Sequence, residues 1–418
     1  MGFSRRTFIQ LGSLPLLGAC VDLSKNPIVG RMRARQMGIR IGYLPTGRWN
    51  AITDVAGVEV GHSTIIRGDG ELQIGAGPVR TGVTAIWPSR NIVNEYLPCG
   101  VDAPNGNGEL SGMLQARQMG VLASPLCLTN TSSVGMVYDE LLKLQPNDDL
   151  PPGIPVVGET WDGSLNDILG RHVHGEHVKH ALDSAAGGPV EEGAVGGGTG
   201  MICYDFKGGI GSASRRVVLG DSLPEFTVGA ARKVVPGDDR PEYTVGALVQ
   251  VNHGWRFQLR IDGVPVGEEL PPAEDGHGDL NSILMIIATD APLLSHQLDR
   301  IARRATHGLA KTGSISSNGS GDFTLAFSTS NPIARDAFWR GDTYPLRSVE
   351  QFDIGPLLQA ASEAVEESII NALCMATDMV GINGRRVPAL PLNCTREIMH
   401  AHGRLFEAEA TAGESADV

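Results

Sequence analysis

The sequence predicts an α/β fold, layered sheets and helices in one large domain, from three features. Strand-like and helix-like stretches alternate over the whole length after Pro45, with no convincing linker between them. The run Ile283–Thr289 is apolar and rich in β-branched residues, as in a buried strand, whereas Leu357, Leu358, Ala361, Val365, Ile369, Ile370 and Leu373 recur at helical spacing. With 418 residues, 41% hydrophobic and 19% charged, the chain can bury a sizeable core.

The elements follow in order. Ser4-Arg5-Arg6-Thr7-Phe8-Ile9 carries a twin-arginine pattern, followed by an apolar stretch from Leu11 to Leu17 that is too short to span a bilayer. Leu17-Gly18-Ala19-Cys20 is similar to a bacterial lipobox, in which Cys20 is lipidated. Residues 1–19 therefore read as an export signal and 20–44 as a tether, which predicts a periplasmic protein held to a membrane only by its lipid. Strands are expected at Gly57–His62 and Gly82–Ile86, and helices at Gly108–Met119, Val134–Leu144 and Ser164–Ser184. Glycine-punctuated strands lie between Met201 and Gln250, and one runs from Val245 to Asn252. After Ser282 come a strand, a helix over Pro292–Ala310, a Gly/Ser turn, a strand over Phe323–Ser328 and a long helix from Ile354 to Met379, with Gly381 as its stop. The acidic, small-residue tail from Glu407 to Val418 reads as disordered.

Charge and cysteine usage narrow the function classes. A net charge of −13 and the lack of any Lys/Arg run argue against a nucleic-acid partner. Cys99, Cys127, Cys203, Cys374 and Cys394 have no metal-type spacing and sit mostly in apolar text, so free buried thiols are expected. The histidines of RHVHGEHVKH (His172, His174, His177, His180) lack the HExxH pattern and share no clean helical face, so no metal is assigned. Gly196–Gly200 and Asn105–Gly108 are neither a Walker loop nor GxGxxG, and no GxSxG elbow is present.

Asn281-Ser282 stands apart. A polar, Gly-rich run from Glu274 to Asp279 ends at Ser282, and the apolar strand begins at once. This is either a plain loop-to-strand junction or, if the bond before it is cut, an N-terminal serine that carries its own base in the freed α-amine. Two further stretches suit such a nucleophile. In Gly313–Asp322, Ser320 and Asp322 alternate by two and can point the same way as a strand begins, so a hydroxyl can pair with a carboxylate. Asn252 ends another strand, where its amide could donate to a developing oxyanion.

ATDAPLLSHQLDRIARR, SISSNGSGDFTLAFSTSNP, NAITDVAGVEVGHSTI, NGNGELSG, LTNTSSVG, VGGGTGM and ALPLN occur in this order, and together they closely resemble the L-aminopeptidase/D-Ala-esterase/amidase family, which includes the β-peptidyl aminopeptidases. The resemblance spans roughly residues 45 to 400. It implies an αββα sandwich cut into 45–281 and 282–418, N-terminal-nucleophile hydrolysis without cofactor, and a homo-oligomer, a tetramer in this family. It also implies that Ser282 is the nucleophile, Asn281-Ser282 the cleaved bond, Ser320 and Asp322 the relay pair (Glu replaces Asp in some relatives), Asn252 the oxyanion amide and Glu159 the carboxylate near the substrate amine. At Trp161 the family pattern has a tyrosine, and an indole can only donate. The implied substrates are short peptides, amino-acid amides or esters, with an L-, D- or β-configured first residue. The competing readings are an acyltransferase of ornithine-acetyltransferase-like architecture, which would use threonine, a non-catalytic peptide-binding lipoprotein, and a histidine-based metallopeptidase.

Overall fold

Two sheets lie face to face, and helices cover the outer side of each. The computed structural model describes residues 28–219, 241–271, 282–341, 343–351 and 353–406. The signal, Cys20, Asn281 and the acidic tail lie outside them.

The first sheet has the strand order Glu59–Arg67, Val79–Trp87, Leu126–Asn130, Val156–Thr160. The strands Val79–Trp87, Leu126–Asn130 and Val156–Thr160 are buried along their whole length because the second sheet lies on one face and the helices Val134–Leu142 and Gly175–Asp183 on the other. The second sheet runs Ile333–Ala334, Glu95–Gly106, Gly321–Ser328, Ser282–Thr289, Glu242–Asn252, Gly209–Val218. Its central pair, Ser282–Thr289 and Gly321–Ser328, is parallel. Parallel neighbours need a crossover, and the helix Ser295–Lys311 supplies it.

Alternation along one strand defines the layers. Ile283, Met285 and Ile287 pack with Leu298, Ile301, Leu357 and Val365 on the helix side, while Leu284, Ile286 and Ala288 pack with Leu126, Leu128 and Val157 between the sheets. The helices approach the sheets through missing side chains. A Cβ on Gly211 would fall 1.9 Å from the Ser368 carbonyl oxygen, and one on Gly61 would fall 2.2 Å from that of Ala181. The αββα sandwich implied by the resemblance is thus the architecture present.

Three expectations need correction. The tether expected over 20–44 is packed wherever it is described: Ala34, Ile39 and Ile41 are fully buried, and Arg35 reaches a carboxylate 332 positions away. Its apolar residues are too sparse to show a period, and its arginines find partners only in the folded chain. The helix expected over Ser164–Ser184 is a short 3-10 turn at Ile168–Gly170 followed by a helix at Gly175–Asp183, with left-handed Arg171 (φ 53°) between them. The helix expected from Gly108 begins only at Met113, because Gly108 belongs to the site described below. The remaining long elements fall close to expectation, including Ser295–Lys311 and Gly355–Met375.

The long helix Gly355–Met375 also buries its polar side. Glu367 meets Arg35 at 2.9 Å and Arg215 at 2.7 Å, and Glu363 meets Arg215 at 3.1 Å. Asn50 donates to Glu367 at 2.5 Å, and Arg33 pairs with Glu192 at 2.7 Å. Burial alone would raise the Glu367 carboxyl, but the Arg215 and Arg35 guanidiniums overcome it and hold it at about 2.

Removing one partner of such a pair strands the others. Glu367→Gln is expected to lower the unfolding free energy by about 3–5 kcal/mol, read as a lower denaturant midpoint at unchanged slope. The folded value of about 2 lies below the unfolded value of about 4.3, so this contribution is present above pH 4.3 and is lost as pH falls toward 2. Wild type should therefore lose stability more steeply than the variant across that window.

Candidate active site

Ser282 is the first residue of its strand and has a site residue on each side. Across the antiparallel ladder it pairs with Asn252, and across the parallel ladder with Gly321. The Gly321 N–H donates to Ser282 Oγ at 3.1 Å. By alternation Ser282, Leu284 and Ile286 share one face, toward the space between the sheets, so the hydroxyl opens at the end of that space. Ser282 is only 6% exposed.

Ser320 and Asp322 meet as the alternation by two predicts. The Ser320 hydroxyl donates to Asp322 Oδ1 across Gly321, and both residues are buried. Burial raises the Asp322 carboxyl, and the Ser320 hydroxyl works against that rise. The Ser316 hydroxyl opposes the rise as well.

Asn252 is oriented by two backbone groups. Its Oδ1 accepts from Ile202 N–H at 2.8 Å, which makes the Nδ2 side the donor, and Nδ2 donates to the Trp161 carbonyl at 3.0 Å. Trp161 therefore meets the site through its main chain. Its half-buried indole lies over Gly163, where a Cβ would come within 2.7 Å of it.

Glu159 comes from the opposite sheet. Gly158 lets its strand close on the Ser282 strand, since a Cβ there would lie 2.7 Å from Leu284 Cδ1. The carboxylate is 4% exposed; it accepts from Glu109 N–H at 3.0 Å and from the Thr131 hydroxyl. Burial raises its carboxyl, and these two donors oppose the rise. Among the described residues no Lys, Arg or His forms an ion pair with it.

Several contributing residues carry no signal of a role when read singly, although they lie in NGNGELSG and LTNTSSVG. Asn105 Nδ2 donates to the carbonyls of Ser317 (3.1 Å) and Ser320, and Asn107 Nδ2 to that of Gly319 (2.8 Å), so both amides clamp the turn before the relay pair. Gly108 leaves room for the Glu159 carboxylate, because a Cβ there would lie 2.8 Å from Glu159 Oε1. Paired asparagines around glycines were the available clue.

The other candidates separate from this centre. His172 is buried off the helix, at 2.8 Å from both Asp167 and Arg67. His174 caps the helix through its own N–H to His177 Nδ1 at 3.0 Å. Among the described residues no three His, Cys, Asp or Glu side chains gather as a metal group. Cys99, Cys127, Cys203, Cys374 and Cys394 are free thiols.

A serine at the head of a central strand in a four-layer αββα sandwich, with a donor amide on one neighbour and a hydroxyl–carboxylate pair on the other, defines an N-terminal-nucleophile type of hydrolase. The model of peptidase family S58 matches residues 50–387, and the chain belongs to that family. The β-peptidyl aminopeptidase BapA of Sphingosinicella xenopeptidilytica is 41% identical over 409 residues, covering 93% of this chain and 96% of that protein. The L-aminopeptidase D-Ala-esterase/amidase of Ochrobactrum anthropi, described as a prototype serine aminopeptidase and a variant of the Ntn hydrolase fold, superposes with TM-score 0.78 at 38% identity, covering 90% and 99% of the two chains. A Burkholderia β-aminopeptidase superposes with TM-score 0.77 at 43% identity, covering 89% and 99%. The chain is a serine aminopeptidase.

The Glu159 contacts yield a pH prediction. Thr131→Val removes the hydroxyl that holds the carboxyl down, so burial should act with less opposition and the group should protonate at higher pH. The acid limb of the kcat/KM profile is then expected to move to higher pH, with the alkaline limb unchanged. An unmoved acid limb would exclude ionised Glu159 from substrate capture.

Proposed function

We propose that the chain is made as a precursor that Ser282 itself cuts after Asn281, and that the freed serine then removes N-terminal residues from short peptides, amides or esters. The observation that carries this reading is the placement of Ser282 between Asn252 and Gly321 at the end of the inter-sheet space. In the first step Ser282 Oγ attacks the Asn281 carbonyl carbon and the amide nitrogen leaves as the new α-amine. Water opens the resulting ester, which leaves a carboxylate on Asn281 and a free amine and hydroxyl on Ser282. That amine has a reference pKa of about 7.7–8.0, so near neutral pH it can take the hydroxyl proton.

In turnover, Oγ attacks the substrate's first carbonyl while Asn252 Nδ2 donates to the oxyanion, a contribution of about 3–4 kcal/mol for one well-placed donor. The Ser282 ammonium returns its proton to the leaving amine, and water hydrolyses the acyl ester. Ser320 and Asp322 orient the Ser282 end of the strand. Glu159, buried and with no cation paired to it among the described residues, takes the substrate ammonium through a charge-assisted bond, which limits cleavage to the chain end.

One relative is named a β-peptidyl aminopeptidase, one a β-aminopeptidase and one an L-aminopeptidase D-Ala-esterase/amidase, so the acyl side is proposed to accept L-, D- or β-residues. The proposed setting is the periplasm, with Cys20 lipidated and the enzyme a homo-tetramer. Among the described residues no helix is long and apolar enough to cross a membrane.

Ser282→Ala should run as one uncut chain by intact mass and show no release from amino-acyl p-nitroanilides or short β-peptides. A cleaved or active variant would overturn the assignment. Glu159→Gln should process normally and raise KM by roughly tenfold or more, since an ion-assisted contact becomes neutral. An unchanged KM for that variant removes the amine anchor.

A further inference from the structure

One buried phenol beside this centre takes no part in the chemistry above. Tyr204 forms the tip of the small hairpin Ile202–Cys203/Phe206–Lys207, and with Asp205 it makes a two-residue turn in which both φ angles are positive, 52° and 60°. A bulky aromatic seldom adopts that conformation, and turn tips are usually exposed, yet Tyr204 is fully buried. Something in the fold holds it there.

Its contacts run in two directions. Toward Asn252, the Tyr204 N–H donates to the His253 carbonyl at 2.8 Å, and its ring packs edge-on against His253 at 5.1 Å. The ring also fills the space over Gly254, where a Cβ would come within 2.2 Å of Cε1. The same hairpin supplies the Ile202 N–H that orients the Asn252 amide. Toward the relay turn, the phenol oxygen lies 2.8 Å from Thr312 Oγ1. Thr312 gives its only hydroxyl hydrogen to the Leu309 carbonyl at 2.7 Å, so Tyr204 is the donor in that pair. Burial raises the phenol, and the Ser314 backbone, beside it in this turn, opposes that rise. Thr312 and Ser314 bracket Gly313, where the turn carrying Ser316, Ser317 and Ser320 begins.

We infer that Tyr204 is a positioning residue: its hydroxyl ties the hairpin that aims Asn252 to the turn that presents Ser320 and Asp322, so the two close on Ser282 from opposite sides. The inference rests on the roles proposed above for those residues. Asn252 and Asp322 sit on different strands with the nucleophile strand between them, and their ends leave the sheet at this point. The ladder fixes their spacing within the sheet, whereas Tyr204 ties the loops beyond it. Glu159 stands on the other sheet, outside this tie, so substrate capture should not depend on the phenol.

The test compares the full-length, self-processed enzyme with Tyr204→Phe, which keeps the ring in its cradle and removes only the hydroxyl. On an amino-acyl p-nitroanilide, kcat per folded enzyme should fall by more than about fivefold with KM within about twofold, the pattern of an interaction expressed in the transition state. Thr312→Val cuts the same tie from its other end, so its loss and that of Tyr204→Phe should not add in the double variant. A purely structural tyrosine would lower the melting temperature and leave kcat of the folded enzyme alone. The inference is overturned by a kcat loss smaller than about fivefold, by a loss carried in KM, or by additive losses in the double variant. If Tyr204→Phe does not fold, Thr312→Val is read alone against the same thresholds. Ser282→Ala separates the two levels: activity in that variant removes the site assignment itself, whereas an inactive Ser282→Ala beside a fully active Tyr204→Phe removes only the role of the phenol.

Discussion

The pairing of Ser282 with Asn252 on one side and Gly321 on the other is a backbone matter, set by ladder hydrogen bonds in the middle of a sheet. Side chains on a strand alternate faces, so slipping the pairing by one residue would turn Ser282 away from the inter-sheet space and into the helices. The two cores prevent that slip. Ile283, Met285 and Ile287 belong among the helices, Leu284, Ile286 and Ala288 between the sheets, and neither set can exchange with the other without exposing or overpacking a core. The apolar text behind Ser282 therefore sets where its hydroxyl points.

The first sheet brings the remaining charge. Gly158 and Gly108 remove the side chains that would hold the two sheets apart at this end, so Glu159 stands close to the Gly321 backbone. A buried carboxylate without a cation is costly unless hydrogen bonds offset it. Thr131 and the Glu109 N–H do so only in part, since the carboxyl remains raised. In the proposed reaction a substrate ammonium supplies the missing charge. Affinity for a chain terminus then comes from satisfying a group that folding leaves under-compensated, a sharper discrimination than apolar contact provides.

What could be read from the sequence follows the range of the interactions. The Ser282 strand, the helices Ser295–Lys311 and Gly355–Met375, and the Ser320–Asp322 pair depend on periodicity or on neighbours within a few residues, and all were legible. The 28–44 segment was not, because Arg33 and Arg35 are placed by Glu192 and Glu367 from far along the chain. His172 was misread as part of a helix because Arg171 turns left-handed and frees it to meet Asp167. Thr131, Asn105, Asn107 and Tyr204 look like ordinary turn or core residues, and only contacts between distant segments give them work.

One position that varies among relatives, Asp322, and one where the resemblance implies a tyrosine, Trp161, are both supported by main chain. Aspartate is one methylene shorter than glutamate, so the proposed pairing of Asp322 needs the serine brought to it. The Ser320 hydroxyl reaches Asp322 across Gly321, and the ladder to the neighbouring strand shifts register between Asp322 and Thr324. A bulge of this kind re-aims a side chain at a strand end, and Asn105 and Asn107 hold the turn in the matching position. At Trp161 the family's phenol is absent, yet the carbonyl of the same residue accepts from Asn252 and helps to aim it. Backbone groups tolerate side-chain change in a way that a phenol or a longer acid cannot. Substitution at these two positions is therefore compatible with the same chemistry, provided the turn clamped by Asn105 and Asn107 keeps its shape.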